Sequence, residues 1–201
     1  MAAKVLKADL IPDVDLTFTK ADLRDVIPHD NDLVVVSLVT AGRKVRRVLV
    51  DEGSSTDVMF LTTFNRLQLS TDQLKPYTGC LYCFAGDEVE VRGHIELRTT
   101  FTDDTSSRTP SIRYLVVNAP SAYNILLGRP TLNRLGAVPS TRHMKMKFPS
   151  LEGAMITIKF DQREAKKCYE NNLKTKRGVF SVMTRPPRED GVTREEIICE
   201  N

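Results

Sequence analysis

The chain has 201 residues, enough for one well-packed domain with tails or for two small domains. Its net charge of +3 and isoelectric point near 8.7 make it mildly basic, too weakly so to argue for a nucleic-acid-binding protein. Four cysteines (Cys80, Cys83, Cys168 and Cys199) form no disulfide framework, no apolar run approaches the ~18 residues of a membrane span, and Met1-Ala2-Ala3-Lys4 opens no apolar leader, so an intracellular, cytoplasmic protein is expected.

Residues 1–30 contain Pro12, Pro28 and many Asp and Lys residues and read as an extended arm, ahead of a domain over 31–160 and a charged extension over 161–201. Residues 33–39 are apolar and β-branched, Ala41-Gly42 marks a turn, and residues 44–50 return as a second strand that delivers Asp51 at its end. The stretch from Ser55 to Leu69 reads as a helix, with Val58, Met59, Phe60, Phe64, Leu67 and Leu69 on or near one side. An apolar arm from Leu81 and a Gly86-Asp87 bend predict a β-hairpin with its tip near 84–87. Val89, Val91, Gly93, Ile95 and Leu97 then alternate with charged residues and His94, the period of a long half-exposed strand.

Residues 102–110 read as a polar loop, 112–117 as a strand and Pro120-Ser121 as a turn. A buried strand from Asn124 breaks at Gly128, and a short helix follows with Pro130 in its first turn and Gly136 closing it. Met144, Met146 and Phe148 alternate with Lys145 and Lys147 in a further strand, and residues 155–160 form another. Beyond it the charged stretch is expected to be part helical and the tail around Pro186-Pro187 mobile.

The clearest chemistry lies in Val48-Leu49-Val50-Asp51-Glu52-Gly53-Ser54-Ser55, because an apolar strand running into Asp-x-Gly-Ser presents a carboxylate as an aspartic protease does. Amide hydrolysis by paired carboxyls needs one ionised group to activate water and one protonated group to polarise the scissile carbonyl. Two close carboxyls share a single proton because both cannot ionise cheaply. No second apolar strand ends in Asp-x-Gly, and Asp190-Gly191 sits in the charged tail, so this chemistry demands a homodimer with one Asp51 from each subunit. Gly53 permits a tight turn and close backbone approach. Ser54 and Ser55 are candidates to hydrogen-bond the carboxylate and to cap a helix beginning near Thr56. By itself the tetrapeptide is a weak signal, since a strand-to-helix turn with an Asx bond has the same sequence.

Other constellations carry less. Cys80-Leu81-Tyr82-Cys83 has the spacing of half a zinc or redox site, but His94, Cys168 and Cys199 supply no second pair at a recognised spacing, so neither metal nor cofactor is expected. The absence of Gly-x-Ser-x-Gly disfavours a serine hydrolase. Arg43, Lys44, Arg46 and Arg47, with Lys166, Lys167, Lys174, Lys176 and Arg177, lack accompanying aromatics and read as a solvated basic face; neither nucleic acid nor membrane is expected as a direct ligand.

The order of motifs from about residue 16 to about 170 resembles the retropepsin-like protease region of plant gypsy-type long-terminal-repeat retrotransposon polyproteins. The resemblance rests on Pro28-His29-Asp30, on the run from Arg46 through Asp51-Glu52-Gly53-Ser54-Ser55 to Phe60, and on Phe84-Ala85-Gly86 followed by Gly93-His94-Ile95-Glu96-Leu97. Most specific is the run from Tyr114 to Leu132 containing Tyr123-Asn124-Ile125-Leu126-Leu127-Gly128-Arg129-Pro130, continuing to Lys145-Met146-Lys147-Phe148. It implies a mostly-β subunit, a closed barrel with a flap hairpin and one or two short helices, active as a two-fold dimer without cofactor. Asp51 would be catalytic, with Glu52, Gly53, Ser54 and Ser55 shaping its loop. Tyr82, Cys83, Phe84, Ala85, Gly86 and Asp87 would form a flap over an extended peptide or polyprotein substrate. Gly128 would allow close packing beneath the loop, and Arg129 would form an ion pair that holds the helix.

One residue departs from the pattern. Many retropepsins carry Thr or Ser after the catalytic Asp, and its hydroxyl interlocks with the opposite loop; here that residue is Glu52. Two such carboxylates near a two-fold axis repel one another at neutral pH, so activity and dimerisation are both expected to prefer acid. The alternative implied by the same residue is an inactive retropepsin-fold module for dimerisation or peptide binding.

Overall fold

The structure, a computed structural model, describes residues 11–12, 14–28, 30–82 and 86–174, with residues 172–174 as backbone only. His29, the Pro186-Pro187 tail, Lys176, Arg177, Asp190-Gly191 and Cys199 lie outside the described residues.

Strands β1 (Val35–Thr40) and β2 (Arg43–Val50) form the expected hairpin. Its turn places Ala41 and Gly42 at φ 50° and 74°, which matches the right-handed twist of the flanking strands. A bulge at Arg46 and Arg47, opposite Ser37, shifts the register before the strand reaches Asp51. Next come β3 (Asp57–Phe60) and α1 (Leu61–Arg66). The short pair β4 (Leu81–Tyr82) and β5 (Glu88–Val89) precedes the long β6 (Val91–Thr102). Then follow β7 (Ser107–Arg108), β8 (Ser111–Val117), β9 (Ile125–Leu127) and α2 (Arg129–Leu135). A three-stranded sheet of β10 (Val138–Ser140), β11 (Lys145–Pro149) and β12 (Met155–Lys159) comes next, and α3 (Gln162–Lys174) ends the described chain.

The main sheet runs β1-β2-β9-β3-β8-β6, and β6 pairs back with β1 through Val39–Thr100 and Thr40–Thr99. Six strands thus close into a barrel, as the sequence led us to expect. Its filling includes Val36, Leu38, Val48, Met59, Phe101, Tyr114, Ile125 and Leu127, all buried. Outward-facing Val35, Val58, Leu115 and Leu126 form a second apolar layer with Tyr123 and with Ala165 and Cys168 of α3. Cys168 is therefore a packing residue here; burial pushes its thiol up, which keeps it protonated and unreactive.

Two local expectations are corrected. The helix proposed over Ser55–Leu69 begins only at Leu61; Asp57–Phe60 is a strand, buried along its whole length between β8 and β9. Strands on both sides bury all four residues of this short segment, so it carries no alternation that could tell it from the start of a helix. The polar loop over 102–110 is a hairpin turn, with Ser107 and Arg108 paired to Thr102 and Phe101. Arg108, only 4 % exposed, donates to the carbonyls of Arg134 and Leu135, satisfying the last turn of α2, and to that of Pro149.

Residues 17–27 are clamped against the sheet of β10–β12. Lys147 Nζ donates to the Asp22 carboxylate at 2.9 Å and to the Thr17 carbonyl at 2.9 Å, and lies 4.9 Å from the Phe18 ring centroid. Lys145 donates to the Asp22 carbonyl, and the Ile27 backbone exchanges two hydrogen bonds with the Gln162 amide. Burial raises the Asp22 pKa, but the Thr19 N–H and the two lysines outweigh it and hold it down at about 2. Asp22 therefore contributes stability above its ordinary 3.8, and that stability is lost as pH falls towards 2. Asp22→Ala leaves two enclosed ammonium groups without their carboxylate and should cost roughly 2–4 kcal/mol. Urea unfolding at pH 7 reads the loss; an unchanged midpoint would mean the clamp adds nothing.

Candidate active site

β9 is hydrogen-bonded on one side to β2, in parallel, and on the other to β3, antiparallel. The chain from β2 to β3 must therefore arch over the end of β9, and that arch is the loop 51–56. The Asp51 N–H donates to the Leu127 carbonyl at 2.9 Å, so the residue is fixed at the rim of the barrel while its side chain stays half-buried. One carboxylate oxygen accepts the Gly53 N–H at 2.9 Å. A Cβ on Gly53 would stand 3.1 Å from that same oxygen, which accounts for the glycine two residues on.

Gly128 lies directly under the arch. A Cβ there would meet the Thr56 carbonyl oxygen at 2.4 Å and that of Ser54 at 2.8 Å. Arg129 then ties the loop down: its N–H donates to the Ser54 carbonyl at 3.0 Å and its Nη1 to those of Gly53 at 2.9 Å and Glu52 at 3.2 Å. Three consecutive carbonyls are thereby held by one residue, with the Asp51 side chain half-buried and the Glu52 side chain exposed. The guanidinium of Arg129 thus finds carbonyls and not the ion pair the sequence suggested.

The serines also differ from expectation. Ser54 Oγ donates to the Thr56 carbonyl at 2.8 Å, Ser55 is exposed, and neither caps a helix, because β3 follows. Of the flap residues, Tyr82 lies on β4 and is 61 % exposed, while Gly86, at φ 87°, and Asp87 lead into β5. Cys83, Phe84 and Ala85 lie outside the described residues. Among the described residues no group of three or more His, Cys, Asp or Glu converges as a metal site would.

Sequence reasoning missed Asp57. It is 3 % exposed, and its carboxyl accepts the Gly128 N–H at 2.8 Å and the Thr131 hydroxyl at 2.9 Å. Burial pushes this carboxyl up to about 6, against the opposing pull of the Gly128 and Thr131 hydrogen bonds. An Asp inside an otherwise apolar run, Asp57-Val58-Met59-Phe60, was the available signal.

A strand ending in a half-exposed carboxylate, arched over a neighbouring strand that ends in glycine, can be compared with known structures. The chain is similar to the retroviral protease-like domain of Ddi1 from Leishmania major, with a TM-score of 0.51 and 15% identity over 66% of this chain and 96% of that one. The fold is retropepsin-like. Lesser likenesses to proteins of retropepsin-like fold are the EIAV protease complexed with the inhibitor HBY-793 and a retropepsin-like aspartic protease from Rickettsia conorii. The first has a TM-score of 0.41 and 23% identity over 57% of this chain and 99% of that one; the second has 0.39 and 16% over 62% and 80%. No protein-family model and no curated protein sequence matches the chain.

Proposed function

We propose that this chain is an aspartic endopeptidase that acts as a homodimer, with water activated between the Asp51 carboxylates of two subunits. The observation that carries the reading is the Asp51 loop: a half-buried carboxylate at the barrel rim, its loop carbonyls occupied by Arg129 and its backbone held by Leu127, has no second carboxyl group bonded to it among the described residues. A single carboxyl cannot be the ionised base and the protonated acid at once, as the paired mechanism requires, so the second carboxyl is taken to come from a second copy. Substrate is an extended peptide lying between the loop and the β4–β5 hairpin, bound by main-chain hydrogen bonds with pockets selecting side chains. The motif resemblance makes the polyprotein of a retrotransposon the natural substrate, and the interior of the cell its place of action.

Incubation of an unfolded protein from pH 3 to 8, with oligomeric state measured in the same buffers, tests this. Cleavage in acid that tracks the dimer is expected. A folded dimer that cuts nothing at any pH would contradict the protease and leave a dimerisation or peptide-binding module, the alternative that Glu52 raises.

Glu52 makes its own prediction. Exposed beside Asp51, the two copies in a dimer approach the two-fold axis together, and ionisation of both opposes association. Glu52→Thr should tighten the dimer near neutrality by roughly tenfold, about 1.4 kcal/mol, as read by sedimentation equilibrium. A wild-type dimer constant that stays the same from pH 5 to 7 would sink the idea.

A further inference from the structure

Residues 33–50, 58–71 and 105–151 contain no Asp or Glu, so the small net charge of +3 hides long acid-free segments. The fold gathers two of them at the end of the barrel away from Asp51. β9 runs parallel to β2 and antiparallel to β3, so α1, which follows β3, is delivered to the end where β2 begins. There Arg43 Nη2 donates to Gln68 Oε1 at 2.8 Å, just past α1. Asn124 ties in the rest: its Nδ2 donates to the Arg46 carbonyl at 2.7 Å and its N–H to the Arg47 carbonyl at 2.9 Å, while its Oδ1 accepts Arg47 Nη2 at 3.4 Å and Thr63 Oγ1 at 3.1 Å. Arg66 stands one helical turn beyond Thr63. Spread along the sequence, these cations read as a solvated face; folded, Arg43, Lys44, Arg46, Arg47 and Arg66 converge.

The bulge in β2 sharpens the convergence. Val45 and Val48 are both buried in the barrel, so the extra residue leaves Arg46 and Arg47 together on the outer side, where a regular strand would place only one of them. Arg47 is held at φ 56°, a left-handed conformation uncommon for a long side chain, by the Asn124 bonds. None of the five cations is in an ion pair among the described residues, whereas Arg92, Lys145, Lys147, Lys159 and Lys167 all are. α3, which packs against β1 and β2, carries Glu164, taken by Lys167 at 3.0 Å, and the exposed Glu170 beside the exposed Arg163 and Lys166.

We propose that this surface binds the phosphate backbone of nucleic acid without regard to its sequence. Arginine presents a fork of donors that matches phosphate oxygens, and four of the five cations are arginines. An acidic peptide or an anionic membrane would meet the same charge, but both draw on apolar anchors, and none of the exposed large hydrophobic residues lies on β1, β2 or α1. No aromatic side chain is exposed on these elements to stack on a base, so binding is electrostatic and steeply salt-dependent. The inference is independent of the protease reading. Along β2, at about 3.3 Å per residue, Arg46 stands about 16 Å and Lys44 about 23 Å from Asp51.

The experiment uses the full chain in an Asp51→Asn background, which removes any self-cleavage, and reads the fluorescence anisotropy of a labelled oligouridylate. Five cations on five phosphates predict a slope of log affinity against log salt of about −3.5, which is roughly a hundredfold loss of affinity between about 50 and 200 mM salt. Lys44→Gln, Arg46→Gln and Arg66→Gln, made together at exposed side chains, should flatten the slope by about 2 and weaken binding at the low end of that range at least tenfold. An equal loss of charge elsewhere, Arg24→Gln with Arg92→Gln and Arg142→Gln, should leave the slope unchanged. Photo-crosslinking of a thiouridine-containing oligomer, mapped by mass spectrometry, needs no substitution in the patch and should mark peptides of β2 and α1. Absence of binding at the low end of the salt range, equal losses in the two triple variants, or crosslinks confined to residues beyond 174 would overturn the proposal. Displacement of the oligomer by polyglutamate as readily as by unlabelled oligouridylate would also overturn it, and would assign the face to an acidic protein.

Discussion

Asp51→Asn is expected to reduce peptide-bond cleavage by at least roughly 10³-fold, since one member of an acid–base pair contributes rate factors of about 10²–10⁴ and here both members are lost together in a homodimer. The fold should not notice. The side chain is half-buried and makes one hydrogen bond, from the Gly53 N–H, which the Asn carbonyl oxygen also accepts. Stability should stay within about 0.5 kcal/mol of the wild type. That separation of activity from stability distinguishes a chemical role from a strand-to-loop turn held by an Asx bond: a purely structural Asp, whose bond Asn keeps, would leave both cleavage and melting temperature largely unchanged. Cleavage of an unfolded substrate read by mass spectrometry, beside thermal melts of both chains, decides between them.

Gly128→Ala is the second substitution with a large expected effect, and its cause is space. Gly128 has φ −98°, a conformation open to any residue, so no backbone penalty arises. The added methyl would instead sit 2.4 Å from the Thr56 oxygen and 2.8 Å from the Ser54 oxygen, both main-chain atoms that cannot swing aside. Relief requires lifting the arch from β9, which breaks the Arg129 bonds to the loop and displaces Asp51. Overpacking of this kind costs roughly 2–4 kcal/mol, a fall in melting temperature of about 5–15 °C, and cleavage should fall with it even below the melting range. Gly42→Ala serves as the control: its φ of 74° carries a backbone cost of about 1 kcal/mol, but nothing lies within 4 Å and Gly42 sits at the opposite end of β2 from the Asp51 loop, so cleavage should persist. Equal stability of Gly128→Ala and wild type would show that the arch does not press on β9.

Much of this fold was legible because its strands are separated by strong turn signals. Ala41-Gly42, the alternation over 89–97, and the Gly128 break followed by Pro130 and Gly136 each map onto an observed element, and Gly136 does close α2 in the left-handed conformation at φ 62°. What failed was decided by tertiary neighbours. Asp57–Phe60 became a strand because β8 and β9 flank it, which no local pattern records. Arg129 bonds carbonyls because the arch brings three of them to it, a consequence of β9 passing between β2 and β3. Asp57 escaped notice for the same reason. A single acid in an apolar run can sit at a surface edge or, as here, below the Asp51 loop, and only the crossing of distant strands settles which.

The most direct test of a shared carboxylate pair is a subunit-mixing titration. Wild-type and Asp51→Asn chains are combined at fixed total concentration, allowed to exchange, and assayed at the acidic optimum as the wild-type fraction is varied. If each site takes one Asp51 from each of two subunits, mixed dimers are inactive and the rate falls as the square of the wild-type fraction, to about a quarter at an equal mixture. A rate that falls in direct proportion to the wild-type fraction would mean that each subunit cleaves on its own, and the homodimeric protease would have to be abandoned.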